Sequence, residues 1–477
     1  MTTPPRRRAR ALAGACTLLS ALAAAQAPPE HLSHGRFQNI ALYAPAATPA
    51  RGSATRLVLL VSGEGGVSPG IADLAQQLSR HGAMVAAIDY PKLAANFEAD
   101  GGDCVFSDGD FENLSHFLQA YYHLPDYLPP FLVGEGAGAA LAYATLVQAP
   151  SNTFAGALTL GFCPATTLRK PLCKGAGLES TRRAGNSGMT FSAAKQLENP
   201  WVLVQGEPAP ACTAGAASEF IAHMQGAALV TVPRLELGNG AAAAHWMPQF
   251  LAAYDTLVAR SARRFEPPAP VALGNLPLVE VPAQPGAVPT DTFAIIMSGD
   301  GGWAGLDKEV ADALSAHGIP VVGLDSLRYF WSARTPEGLA ADTDRMIRYY
   351  LAHFAKKRVL LIGYSQGADV LPFALNRLPA AARSNVALAV LMGMSEHALF
   401  EFHVSSWISD DNSGPATLPE VDRIAGIPVV CIYGEGDSDS LCPKLDPAKI
   451  RVVKLKGGHH FDGDYAGLAR QILAAEK

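Results

Sequence analysis

Short apolar runs alternate with longer amphipathic stretches along most of the chain, and the whole series occurs twice. Arg56 to Ile88 reads RLVLLVSGEGGVSPGIADLAQQLSRHGAMVAAI, and Thr292 to Leu324 reads TFAIIMSGDGGWAGLDKEVADALSAHGIPVVGL. Each predicts a buried strand, a Ser-Gly-acid-Gly-Gly turn, an amphipathic helix ending at His-Gly, and a second apolar strand. Ser62 corresponds to Ser298, Gly82 to Gly318 and Asp89 to Asp325, each 236 positions on. Further along, Phe131-Leu-Val-Gly-Glu-Gly-Ala-Gly parallels Leu360-Leu-Ile-Gly-Tyr-Ser-Gln-Gly, and Trp201-Val-Leu-Val-Gln-Gly-Glu parallels Val429-Val-Cys-Ile-Tyr-Gly-Glu. Apolar strands alternating with amphipathic helices imply a mostly parallel sheet covered on both faces by helices. The chain therefore reads as two tandem α/β domains, residues 28–265 and 291–477. The proline-rich stretch 266–290 between them is a linker or edge segment, because proline removes a backbone donor and disfavours helix.

Composition narrows the class. Of 477 residues 49% are apolar and 17% charged, with a formal net charge of −6. That is enough apolar material for large cores and too little charge for a disordered chain. The mild acidity lacks the basic face of a nucleic-acid binder, so no nucleic-acid partner is expected. Residues 1–27 read as a signal peptide: Arg6, Arg7, Arg8 and Arg10 precede an alanine-rich apolar stretch, Ala11 to Ala25, with small residues for cleavage. The stretch is shorter than the ~20 residues that span a bilayer. Export implies the periplasm of a bacterium, or secretion. Cys16 falls inside the signal, leaving six cysteines, an even number suited to disulfides in an oxidising compartment. Spacing favours Cys163 with Cys173 and Cys431 with Cys442, which leaves Cys104 with Cys212. The absence of Cys-x-x-Cys gives zinc little support, and no metal or other cofactor is implied.

The second copy carries candidate chemistry. Gly363-Tyr364-Ser365-Gln366-Gly367 fits Gly-x-Ser-x-Gly, a strand-to-helix turn that exposes a serine and leaves no room for side chains two residues to either side. A serine hydroxyl needs a base, and the base an orienting acid; in α/β-hydrolases these follow in the order serine, acid, histidine. Downstream, Asp437 and Asp439 follow one predicted strand, and His459 and His460 follow the next. Asp439 is favoured by its spacing before Ser-Leu-Cys-Pro, with Asp437 as the alternative. His459, directly after a glycine pair, is favoured over His460. A Cys431–Cys442 bridge would clamp the acid loop. The oxyanion hole should combine the N–H of Gln366 with one from the loop holding Gly299 and Asp300. In the first copy the nucleophile position is Gly136, which has no side chain to attack with. That copy is expected to be degenerate, although Glu207 and His245 stand near the other two positions. The fold class is accordingly two tandem α/β-hydrolase-like domains, the C-terminal one catalytic.

The second copy resembles the VirJ/AcvB family of bacterial virulence-associated proteins. The resemblance is carried by Ser-Gly-Asp-Gly-Gly-Trp (298–303), Ser326-Leu-Arg-Tyr-Phe-Trp, Gly-Tyr-Ser-Gln-Gly-Ala-Asp-Val-Leu-Pro (363–372) and Gly-Gly-His-His-Phe-Asp-Gly-Asp-Tyr (457–465). The two-copy layout resembles the longer, AcvB-type members. The resemblance implies a periplasmic serine hydrolase that releases lysine from lysyl-phosphatidylglycerol at the membrane surface, with secretion-system proteins as partners of some members. Another envelope esterase or thioesterase, or a scaffold with a vestigial serine, would share the same motifs. A lysyl group carries two amines, which suits Asp300, Asp369, Asp462 and Asp464 as substrate ligands, though each is equally a turn or helix-start carboxylate. Trp303, Arg328 and Trp331 are candidates to meet a lipid head group, with Arg328 and Trp331 equally suited to packing as a lid.

Overall fold

The computed structural model describes residues 29–45, 56–124, 127–149, 153–175, 177–206, 212–235, 243–265, 273–274, 276–402 and 414–476. The expected signal peptide and Glu207 lie outside them, as do residues 266–272 and 275 of the expected linker. The first copy forms an eight-stranded sheet in the order Glu30–His34, Phe37–Tyr43, Ala83–Ile88, Arg56–Val61, Phe131–Glu135, Gly156–Leu160, Gln196–Gly206, Gln225–Val232. The second forms a seven-stranded sheet in the order Leu278–Val281, Val321–Leu324, Thr292–Met297, Arg358–Tyr364, Val386–Met392, Val429–Gly434, Arg451–Leu455. The second repeats the first without its outermost strand. In both, the strands run parallel except at the edge, where Phe37–Tyr43 and Leu278–Val281 run antiparallel to their inner neighbours. This is the sheet of an α/β-hydrolase, present twice. The expected linker is thus partly structural: Leu278–Val281 forms an edge strand, the position at which a missing proline N–H does least harm.

Each sheet is buried on both faces, which is why its strands are continuous apolar runs. In the second domain Phe293, Ile295 and Met297 pack to one side with the helix Pro336–His353, and Ala294 and Ile296 to the other with the helix Gly305–Ala316. The repeated turn explains the repeated residues. The Ser298 hydroxyl accepts a bond from the Ser326 N–H at 2.9 Å, and Asp325 caps the short helix Ser326–Tyr329 through the Arg328 N–H. Ser62 does the same for the Tyr90 N–H, and Asp89 for that of Lys92.

Two of the three expected cysteine pairings are corrected. The bridges are Cys104–Cys173, Cys163–Cys212 and Cys431–Cys442. Cys163 and Cys212 follow Gly156–Leu160 and Gln196–Gly206, which are adjacent parallel strands. Cys104 is brought to Cys173 by a parallel bridge between Val105 and Leu172. Strand adjacency, not sequence proximity, chose the partners. Among the described residues no helix is long and apolar enough to cross a membrane.

Candidate active site

Ser365 stands between the strand Arg358–Tyr364 and the helix Gln366–Arg377, with φ 50° and ψ −120°. A β-carbon on Gly363 would lie 2.4 Å from the Gly367 carbonyl oxygen, and one on Gly367 would lie 2.1 Å from that of Met297. The turn therefore closes only with glycine on both sides of the serine. The Ser365 N–H donates to the Met392 carbonyl at 2.9 Å, which ties the elbow to the end of the next strand. Gln366 opens the helix, so its N–H has no intrahelical acceptor. Gly299 approaches closely from the other side: a β-carbon there would be 3.4 Å from Ser365 Cβ. The loop expected to supply the second oxyanion donor is thus against the nucleophile.

His459 follows the last strand, and its imidazole lies over Gly393, the residue after the strand that receives the Ser365 N–H. A β-carbon on Gly393 would meet the ring at 2.9 Å. Nδ1 of His459 pairs with Asp437 Oδ2 at 2.9 Å. An ionised carboxylate accepts only, so Nδ1 carries the proton and Nε2 is left with its lone pair. The Asp437 side chain is 6% exposed and that of His459 34%. The acid loop is fastened by the Cys431–Cys442 bridge and by a bond from the Leu441 N–H to the Met394 carbonyl.

The preference for Asp439 is corrected. Asp439 is exposed two residues further along, with Ser438 Oγ donating to it at 3.4 Å. The tight turn at 434–437, where the Asp437 N–H reaches the Gly434 carbonyl, aims Asp437 at the imidazole instead. His460 pairs through Nδ1 with the Tyr364 hydroxyl at 2.9 Å, and burial, then the neighbouring His459, lower its pKa. The structure thus pairs His459 with Asp437 beside the strand end to which Ser365 is tied, with Gly299 against the serine and Gln366 and Asp300 lining the same cavity.

A cavity of about 480 Å³ opens beside Ser365. Asp300, Asp369, Glu396, Glu401 and Asp439 line it, against Lys444 as the single ammonium among the described lining residues. Asp369 is buried; its Oδ1 accepts from the Ser395 N–H at 2.6 Å, and burial pushes its carboxyl well above the usual carboxylate range. Gln366 Nε2 donates to the Leu399 carbonyl, while its Oε1 is buried with no hydrogen-bond partner among the described residues. Nothing in the sequence marked Gln366 Oε1, Glu396 or Glu401, because their convergence depends on how residues 395–402 cross the elbow.

Other expected ligands sit elsewhere. Trp303 is a core residue, 4% exposed and pressed against Gly323 of the neighbouring strand. Trp331 points to the first domain, donating from Nε1 to the Leu124 carbonyl at 2.7 Å. Arg328 faces the half-buried Asp325 carboxylate. Asp464 caps the last helix through the Gly467 N–H, and Asp462 occupies a left-handed turn position. Of the proposed amine ligands, Asp300 and Asp369 reach the cavity.

In the first domain the elbow survives without its nucleophile: Gly136 has φ 54° and ψ −117°. Glu135 occupies the place of Tyr364, and its Oε2 accepts from the Gly63 N–H at 2.7 Å. Gly63 corresponds to Gly299, so an internal carboxylate already fills the vestigial oxyanion site. His245 is exposed.

Residues 291–477 match the family model described as bacterial virulence protein (VirJ). Over these residues the chain is similar to the VirJ family. Among curated proteins none matches this chain. Solved structures similar to part of it include a lidless α/β serine hydrolase from Xanthomonas campestris, at 17% identity over 42% of this chain and 86% of that one, with a TM-score of 0.28. A thioesterase domain from a curacin biosynthetic pathway matches at 18% identity over 41% and 94%, with a TM-score of 0.29. A protein of unknown function from Agrobacterium tumefaciens matches the chain at 20% identity over 44% and 100%, with a TM-score of 0.29.

Proposed function

We propose that the second domain is a serine hydrolase of the cell envelope that cleaves the aminoacyl ester of lysyl-phosphatidylglycerol. The observation that carries the chemistry is the His459–Asp437 pair over the strand end to which Ser365 is tied. In this reading Ser365 Oγ attacks the lysyl carbonyl carbon while His459 Nε2 takes the hydroxyl proton. Asp437 stabilises the resulting imidazolium, and the N–H groups of Gln366 and of Gly299 or Asp300 stabilise the oxyanion. Collapse breaks the ester bond, and the imidazolium protonates the departing glycerol oxygen. Water then attacks the lysyl-enzyme, with His459 as base, releasing lysine and restoring Ser365. These steps need no cofactor.

The cavity supports a cationic substrate. Among its described lining residues carboxyl groups outnumber the one ammonium, and Asp300 and Asp369 line it beside the serine, placed to meet the substrate amines. Disulfides and the expected signal peptide support a periplasmic location, where such a lipid's exposed head group is reachable. The test is lysine release from lysyl-phosphatidylglycerol vesicles by wild type and Ser365→Ala. Release by wild type alone is expected. No release, with Ser365 nevertheless labelled by a fluorophosphonate, would move the assignment to another ester; no labelling would leave a binding protein.

A further inference from the structure

Among the described residues the apolar part of the catalytic cavity's wall is Leu399 and Phe402. Phe402 is held from behind by residues of both domains. Its ring stacks on Trp331 at 5.2 Å with the planes 18° apart, and its N–H donates to the Phe330 carbonyl at 2.8 Å. Trp331 is in turn clamped by the first domain: its indole N–H reaches the Leu124 carbonyl, and its ring lies 5.3 Å from that of Tyr127. His116, on the helix Ser107–Tyr121, meets Tyr127 edge-on at 4.8 Å and Phe402 at 6.1 Å. His116 and Tyr127 are almost fully buried. Buried aromatic pairs at these separations resist displacement. The same wall is joined to the nucleophile, since Gln366 Nε2 bonds the Leu399 carbonyl.

We propose that the degenerate first domain is a specificity element of the second. Its Tyr127 and His116 are positioning residues that hold the Trp331–Phe402 pair, and so the apolar wall against which the hydrocarbon part of an amphiphilic ester lies. The first domain's vestigial site is filled by Glu135, so its contribution to turnover comes through this contact and not through a site of its own. The inference rests on Ser365 being a working nucleophile, as proposed above, but not on the identity of the ester.

The test compares the rates at which a short-alkyl and a long-alkyl fluorophosphonate label Ser365 in the full chain. In Tyr127→Ala and in His116→Ala the long-chain rate is expected to fall about fivefold relative to the short-chain rate, the loss expected for one buried aromatic contact. Tyr127→Phe, which keeps the ring, should restore the wild-type ratio. An unchanged ratio in both alanine variants, with wild-type melting temperatures, overturns the proposal. So does an equal fall in both rates, which marks a structural role alone. Absence of labelling in wild type by either probe defeats the nucleophile reading first, and this inference with it.

Discussion

At the scale of single residues, the choice between two aspartates two positions apart has large consequences. Removing the carboxylate that fixes an imidazole's tautomer typically lowers turnover about 10⁴-fold. Asp437→Asn is expected to lose kcat to about that extent, whereas Asp439→Asn, which lines the cavity but is exposed and unpaired with His459, should keep kcat within about twofold. Kinetics of both variants on one ester would decide it, and similar losses would return Asp439 to the site. Asp369 makes a second prediction. Burial holds its carboxyl protonated above the ordinary carboxylate range, so it binds a cation weakly until pH exceeds its pKa. KM for a lysyl ester should therefore fall as pH rises through that range. Asp369→Asn should flatten this dependence, measured by steady-state kinetics across a pH series. A neutral ester should show neither effect. The serine elbow was legible in the sequence because the turn leaves no room for a side chain at either glycine, one facing the Gly367 carbonyl and the other that of Met297. The acid was not, since either aspartate satisfies the spacing and only the turn at 434–437 selects between them.

At the scale of elements, the acid loop and the vestigial elbow behave in opposite ways. The Cys431–Cys442 bridge closes a loop with a sequence separation of 11. Replacing both cysteines by serine should cost about 2–3 kcal/mol of stability by loop entropy. Because the same loop carries Asp437, kcat should fall about ten- to a hundredfold with little change in KM. Thermal unfolding and steady-state kinetics measure the two effects, and a stability loss without a kcat loss would show that the bridge does not position the acid. In the first domain, Gly136→Ser restores a hydroxyl at an intact elbow. In a Ser365→Ala background it is nevertheless expected to remain unlabelled by fluorophosphonate, because Glu135 holds the Gly63 N–H that an oxyanion would need. Labelling there would show that the first copy lost only its nucleophile. The loss of the serine is read directly from sequence. The filling of the oxyanion site is not, because Glu135 and Gly63 are 72 positions apart and meet only across adjacent strands.

At the scale of the whole molecule, the two domains share a charged seam as well as an aromatic one. Glu112 of the first domain faces Asp108 on its own helix and Lys308, Asp325 and Asp300 of the second domain, with Tyr127 alongside. Burial, then the neighbouring Asp108, pushes its carboxyl up to about 8. In the unfolded chain the same group ionises near its ordinary value of 4.5. Between those values the folded state holds a proton that the unfolded state has released, so stability falls as pH rises. Relative to wild type, Glu112→Gln should therefore gain melting temperature progressively from about pH 5 to about pH 8 and hold that gain above it. A constant difference across this window would mean that Glu112 is ordinary in the folded protein.

The repeat, the two α/β-hydrolase sheets, the lost nucleophile of one copy and the surviving Gly-x-Ser-x-Gly of the other were determined by the sequence alone. Each depends on local conditions: apolar runs long enough to be buried strands, and glycines where a turn admits nothing else. The cysteine partners, the choice of Asp437, the acid-lined cavity and the setting of Trp331 were decided by tertiary structure. These depend on which strand ends become neighbours and on how one domain docks against the other. Sequence spacing carries no record of either, because a parallel sheet places side by side residues separated by whole helices.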